Sequence, residues 1–224
     1  MQSAGNDIID LGSINQKRSR ERRFYSKFIS KSEQLLYQRQ EHIHLPWEQY
    51  VWLLWSIKES AYKYLKRSLP ELLFSPVKII IRDLAIPADP ETYTFAESQW
   101  EGNAADENCY TGSLVFETHL LYFKSKIYSE LIATVVNKDD AFKDTWWGIQ
   151  TIECTDTDNQ SKKVRSFLLN RLAGLMPDKT VSITEPSGGY PRVLELSKEC
   201  LLPVSFAHHD RFIAYSFLLH TVTR

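Results

Sequence analysis

Cysteine is scarce: Cys109, Cys154 and Cys200 are the three in the chain, far apart and odd in number, so neither a disulfide framework nor a zinc-ligand spacing is offered. A run of about eighteen apolar residues is missing, as is a basic segment followed by an apolar one at the start, which argues against a membrane span and a signal peptide. Long basic runs are missing too, and the formal charge is −1, so the chain lacks the phosphate-neutralising surface of a general nucleic-acid binder. One local cluster stands out, Lys17, Arg18, Arg20, Arg22 and Arg23, which suits a solvated helix face, an acidic partner or phosphates. What is present, 43% hydrophobic and 25% charged residues in 224, suffices for a full core in one domain or two small lobes. We expect a monomeric, cytoplasmic protein that binds neither nucleic acid nor membrane.

Between Pro46 and Arg67 there is no glycine, and the only proline opens the segment, where a helix tolerates it. At about 100° per residue Val51, Leu54, Ile57, Ala61 and Leu65 gather on one face, which predicts a helix packed on a core. Lys58 projects from within that stripe and on periodicity alone would snorkel to water. Glu59 and Lys63 lie one turn apart on the flank beside Trp52 and Trp55, a spacing that equally serves an ordinary surface ion pair.

Around this helix the chain reads as follows. Ala4 to Leu11 is a turn entering a short strand, with Asp7 at its start as turn chemistry or as a functional acid. Lys17 to Lys27 is helical, and Ser30-x-x-Glu33 is a capping box opening a helix through about Gln40. His42 and His44 fall in a polar connector with no third ligand, which favours exposed residues over a metal site. Val77 to Arg82 is a strand, Ala85 to Asn108 a long loop or insertion, and Ser113 to Phe123 and Tyr128 to Val136 a strand pair turning at Lys124-Ser125-Lys126. A lobe boundary falls near Asp140, giving lobes 1–140 and 141–224. The second lobe has a helix over Val164 to Leu175, strands at Val181 to Thr184 and Arg192 to Leu196, and a final hairpin through Val204–Ala207 and Phe212–Leu219. Ser129–Val136 and Asp210–Phe217 align position by position, each closing a strand–turn–strand unit, which suggests two related lobes.

The string Trp55-Ser56-Ile57-Lys58-Glu59-Ser60-Ala61-Tyr62-Lys63 resembles the signature helix of the 4′-phosphopantetheinyl transferases. Upstream the chain carries further elements in that family's order: Gly5-Asn6-Asp7-Ile8, Arg23-Phe24, Lys27-Phe28 and Ser30-x-x-Glu33. The second lobe is similar but weakened, with Gly189-Tyr190-Pro191 where members have Gly-Lys-Pro, and Ala207-His208 where they have Ser-His. In two-lobed members this second segment precedes the Gly-x-Asp-Ile segment; here it follows, so the chain looks like a rearranged member of holo-carrier-protein synthase type.

The resemblance implies an α+β fold of two pseudo-twofold-related lobes, each a small antiparallel sheet packed against helices. It implies magnesium-dependent transfer, with manganese as a substitute, of the 4′-phosphopantetheine arm of coenzyme A to a serine of an acyl, peptidyl or aryl carrier protein, in fatty-acid or secondary metabolism. Asp7 and Glu59 would be the metal carboxylates, Glu59 and Lys63 the catalytic pair, and Lys58, Lys63, His208 and Arg211 the coenzyme contacts. The base for the carrier serine would be Glu59 or a water that it positions on the metal. A third acid found in many members two residues after the Asp is Ile9 here, and Asp10 would share the face of Ile8 rather than of Asp7. His208 could equally be a surface turn histidine. With Tyr190 and Ala207 replacing two phosphate contacts, the competing reading is a catalytically impaired protein that binds coenzyme A or a carrier protein.

Overall fold

The computed structural model describes residues 3–39, 45–88, 93–106, 108–185, 189–195 and 198–219. His42, His44 and the Pro186–Gly188 turn lie outside them. The elements in chain order are β1 (Gly5–Asp10), α1 (Gln16–Ser19), α2 (Arg22–Tyr25), α3 (Lys31–Arg39), α4 (Trp47–Lys66), β2 (Ile80–Ile81), β3 (Gln99–Asn103), β4 (Tyr110–Phe116), β5 (His119–Ile127), β6 (Leu131–Asn137), β7 (Thr145–Thr151), α5 (Thr157–Leu175), β8 (Val181–Thr184), β9 (Arg192–Glu195), β10 (Lys198–His209) and β11 (Phe212–Leu218). No helix among the described residues is long and apolar enough to cross a membrane.

The strands make two antiparallel sheets, ordered β1-β6-β5-β4-β2 and β3-β7-β11-β10-β9-β8. Leaving β3 aside, the two halves have one connectivity, strand–helix–four strands, and one neighbour order, the arrangement of two pseudo-twofold lobes. The aligned segments noted above are the equivalent strands β6 and β11. Both are apolar on both faces because both are covered twice. Ile132 and Val136 pack on α4, while Leu131, Ala133 and Val135 meet Ala207, Phe212 and Ala214 of the other sheet. Ile213, Tyr215 and Phe217 then turn to α5 with Val164, Phe167, Leu168 and Leu172. The result is four layers, helix–sheet–sheet–helix, with three cores between them.

Four expectations are corrected. Gln99–Asn103 is not loop but β3, paired with β7 at the edge of the second sheet; a polar strand with only Trp100 to bury, edge-on to Trp147, has too little apolar alternation to be seen. The Ser113–Phe123 strand is broken by a two-residue turn at Glu117-Thr118, where Glu117 takes φ 52° without the usual glycine or asparagine. The following turn accordingly falls after Ile127, not at Lys124-Ser125-Lys126. Lys17 to Lys27 is helical as two single-turn pieces, α1 and α2.

Candidate functional site

Two elements bring the first-lobe residues together. β1 crosses directly beneath α4, so close that a Cβ on Gly5 would collide with the Ser60 carbonyl and with Tyr64. The glycine thus sets the distance at which Asp7, one pleat further on the same face, meets the helix flank. Glu59 and Lys63 occupy that flank. Lys63 Nζ lies 3.1 Å from Asp7 Oδ1 and 3.3 Å from Glu59 Oε1, so a single ammonium bridges two carboxylates. Asp10, as its strand parity predicts, points the other way and pairs with Arg211.

Their environments differ. Asp7 is 5% exposed and its Oδ2 has no hydrogen-bond partner. Burial pushes its pKa up to about 7; Lys63 opposes this and Glu59 reinforces it. Burial also works against the charge on Lys63, but the two carboxylates outweigh it and raise its pKa. Glu59, with its side chain 30% exposed, faces solvent.

A hard divalent cation fits this donor set. Asp7 contributes an oxygen without a partner, Glu59 an accessible one, and magnesium typically takes one or two carboxylates with phosphates and waters completing its shell. Among the described residues no cluster of three or more His, Cys, Asp or Glu could hold a metal alone, so a cation here needs oxygens from outside the protein.

Lys63 also lines a cavity of about 450 Å³ between the lobes. Its walls include Tyr62, Lys63, Lys66 and Arg67 from the end of α4, Ser161 and Arg165 from α5, Glu185, Tyr190 ahead of β9, and His208 on β10. His208 stands near the end of β10, its pKa lowered by burial and then by Lys63, which favours the neutral imidazole. Tyr190, where the resemblance wants a lysine, gathers cations instead. The Arg67 guanidinium lies 4.1 Å from its ring centroid and that of Arg192 5.3 Å. Arg67 is fixed by donating to the Pro191 and Val204 carbonyls, and Arg165 pairs with Glu185 at the rim. Sequence reasoning passed over Lys66, Arg67 and Arg165. The only signal was that Lys66 and Arg67 follow Lys63 by three and four positions, one helical turn.

Two expected coenzyme contacts do not reach this cavity. Lys58 is fully buried, its ammonium 2.8 Å from Glu33 and donating to the Phe28 and Pro76 carbonyls at 2.6 and 3.1 Å. Glu33 in turn accepts the Ser30 and Ile81 amides, so the capping box is one corner of a buried lock that ties α3, α4 and β2 together. With its side chain fully buried, that ammonium does not snorkel to solvent. Glu33→Ala leaves the Lys58 ammonium buried without its counter-charge and is expected to cost about 3–5 kcal/mol in denaturant unfolding; a cost below about 1 kcal/mol would show that Lys58 is not held by this pair. Arg211 is half exposed and ties the lobes through Asp10 at 2.8 Å. Ala207 faces the core between the sheets, opposite to His208, so it adds nothing to the cavity wall.

Residues 3–109 match the family model for the 4′-phosphopantetheinyl transferase superfamily. That span holds β1, α4 and both acids, and ends as β4 begins. No curated protein and no solved structure matches the chain.

Proposed function

We propose that this chain, whose residues 3–109 match the 4′-phosphopantetheinyl transferase superfamily, moves the phosphopantetheine arm of coenzyme A onto a carrier-protein serine with a divalent cation, magnesium by preference. Phosphopantetheinyl transfer is the general activity of the superfamily; the carrier, the cation and the holo-carrier-protein synthase type are our reading. The observation that carries it is the acid pair Asp7–Glu59 joined through Lys63 to a cation-lined cleft. In this reading lobe 1–140 supplies the acids and the signature helix, and lobe 141–224 closes over the coenzyme.

Transfer forms a bond from the serine oxygen to the phosphorus that bears pantetheine and breaks the pyrophosphate bridge, releasing adenosine 3′,5′-bisphosphate. A cation held by Asp7 and Glu59 supplies charge neutralisation on the pyrophosphate. Glu59, the more exposed acid, is the group we assign to take the serine proton, directly or through one water. Lys63 offers a compact charge to a phosphate oxygen. Lys66, Arg67 and Arg165 give the cleft the positive field that a ligand with three phosphate groups needs, and His208 donates a hydrogen bond from the second lobe. The direct test is the mass of an apo carrier protein incubated with this chain, coenzyme A and magnesium. A phosphopantetheine mass gain supports transfer, whereas coenzyme A binding without any gain would make it the impaired binding protein.

His208→Ala should weaken coenzyme binding and spare the chemical step. A phosphate contact made in both ground and transition states is uniform binding, which raises KM and leaves kcat. The expected loss is about 1.5–3 kcal/mol, the range for a hydrogen bond to a charged group. Unchanged KM with collapsed kcat in steady-state kinetics would make His208 catalytic instead.

A further inference from the structure

We infer that Lys63 is the place-holder for the cation: in the unloaded protein its ammonium sits between Asp7 and Glu59, and it is released to the phosphate of the coenzyme only when a divalent ion takes that position. The inference rests on the proposed cation site and adds a coupling between the two ligands.

Its basis is the double contact. At 3.1 and 3.3 Å the ammonium is within ion-pair reach of one oxygen of each acid, the same two carboxylates a bridging cation would use. Without a counter-ion, the buried carboxylate of β1 and the one on the flank of α4 would repel. One lysine relieves that repulsion and keeps the pair assembled. A divalent ion and an ammonium cannot share those oxygens, because like charges about 4 Å apart repel strongly at a protein surface. Lys63 has somewhere to go. Its side chain is 24% exposed, its stem is flexible, and it already forms the cavity wall beside Tyr62, Lys66 and His208.

Two consequences follow. An ion arriving alone must evict a lysine that gains no new partner, so it binds weakly. An ion arriving with a phosphate binds well, since the phosphate receives the displaced ammonium. By linkage the effect is reciprocal, so the ion strengthens coenzyme binding by the same factor as the coenzyme strengthens ion binding. The chain would then stay unloaded until both are present, which keeps an acid pair able to attract any divalent ion from being occupied unproductively.

The experiment is a titration of the metal-free protein with manganese alone, followed by electron paramagnetic resonance, and its repeat with inorganic pyrophosphate present. Lys63→Met and Lys63→Gln remove the ammonium at a partly exposed position, and circular dichroism checks that they fold. Either variant should bind manganese about tenfold more tightly than the unaltered protein without pyrophosphate, the scale of removing one nearby like charge. Pyrophosphate should tighten manganese binding in the unaltered protein and much less in the variants. Equal or weaker manganese affinity in both variants overturns the place-holder role. Asp7→Asn separates that failure from a failure of the site itself: if it abolishes manganese binding while the Lys63 variants leave it unchanged, the cation site stands and the place-holder falls. Binding indifferent to Asp7→Asn and to Glu59→Gln removes both.

Discussion

Glu59→Gln should abolish transfer while leaving the protein folded. The glutamine keeps the shape of the side chain and loses its charge, and little in the fold depends on that charge. Glu59 is on the solvent flank of α4, with Lys63 one turn on as its ion-pair partner, a contact worth a few tenths of a kcal/mol on a helix surface. Lys63 keeps Asp7 when Glu59 is neutralised. The thermal midpoint should therefore move by no more than about 2 °C. Transfer should fall by at least the 10²–10⁴-fold that a general base contributes, and further because one of two cation ligands is weakened. Asp7→Asn removes the other ligand of the same site, so the double variant should be little slower than either single one. Transfer near the unaltered rate at saturating magnesium would make Glu59 an ordinary salt-bridge partner and end the site assignment.

The parts of this site that could be read from residues alone are those that local rules govern. The helix from Pro46 follows from glycine-free periodicity, the capping box from a four-residue spacing, and the kinship of β6 and β11 from their alignment. What was hidden depends on long-range pairing. Nothing near Lys58 announces that Glu33 will meet it in the core, since the two are joined only when α3 packs on α4. Arg67 and Arg165 come from helices nearly a hundred positions apart and converge only across the lobe boundary. Tyr190 looked like the loss of a cation, yet an aromatic face stacked by two arginines keeps positive charge at that wall.

The repeat also explains why, among the described residues, the second lobe has no counterpart of Asp7. Asp7 pairs with Thr134 on β6, and the position equivalent to Thr134 on β11 is Tyr215, whose partner on β7 is Gly148. The second lobe therefore carries a glycine where the first carries its buried acid. The space is filled by the Tyr215 ring, which a Cβ on Gly148 would approach to 2.7 Å. The free edges differ as well. The outer edge of β1 meets side chains of β10, with the Asp10 amide donating to His209 Nδ1 at 2.9 Å and the Asn6 amide to Ser205 at 3.2 Å. That of β7 is paired with β3, a strand the first lobe lacks.

Asp7→Asn should stabilise the metal-free protein at pH 8 while destroying its activity, because the acid is kept at a cost to the fold. Burial raises the pKa of Asp7 from 3.8 to about 7, so the folded chain holds this proton more tightly than the unfolded one. A group raised in this direction contributes stability that is fully present below about pH 4 and is lost as pH rises through about 7. Asparagine mimics the protonated acid at every pH, and Lys63 retains Glu59 as its partner. In the presence of a chelator the variant should therefore melt about 3 °C or more above the unaltered protein at pH 8, and the gap should close as the pH falls toward 4. Magnesium together with pyrophosphate should narrow or reverse the ranking at pH 8: ligands that bind only the folded state raise the melting point of the unaltered protein more than that of the variant. Transfer by the variant should drop about 10³-fold, the scale of losing several kcal/mol of charge stabilisation. Melting curves at pH 5 and pH 8, with chelator and with magnesium and pyrophosphate, test every part of this. If the variant is less stable than the unaltered protein at pH 8 without metal, the Asp7–Lys63 ion pair outweighs the burial of the acid, and Asp7 is a structural anchor for β1 rather than a carboxylate held in readiness for a cation.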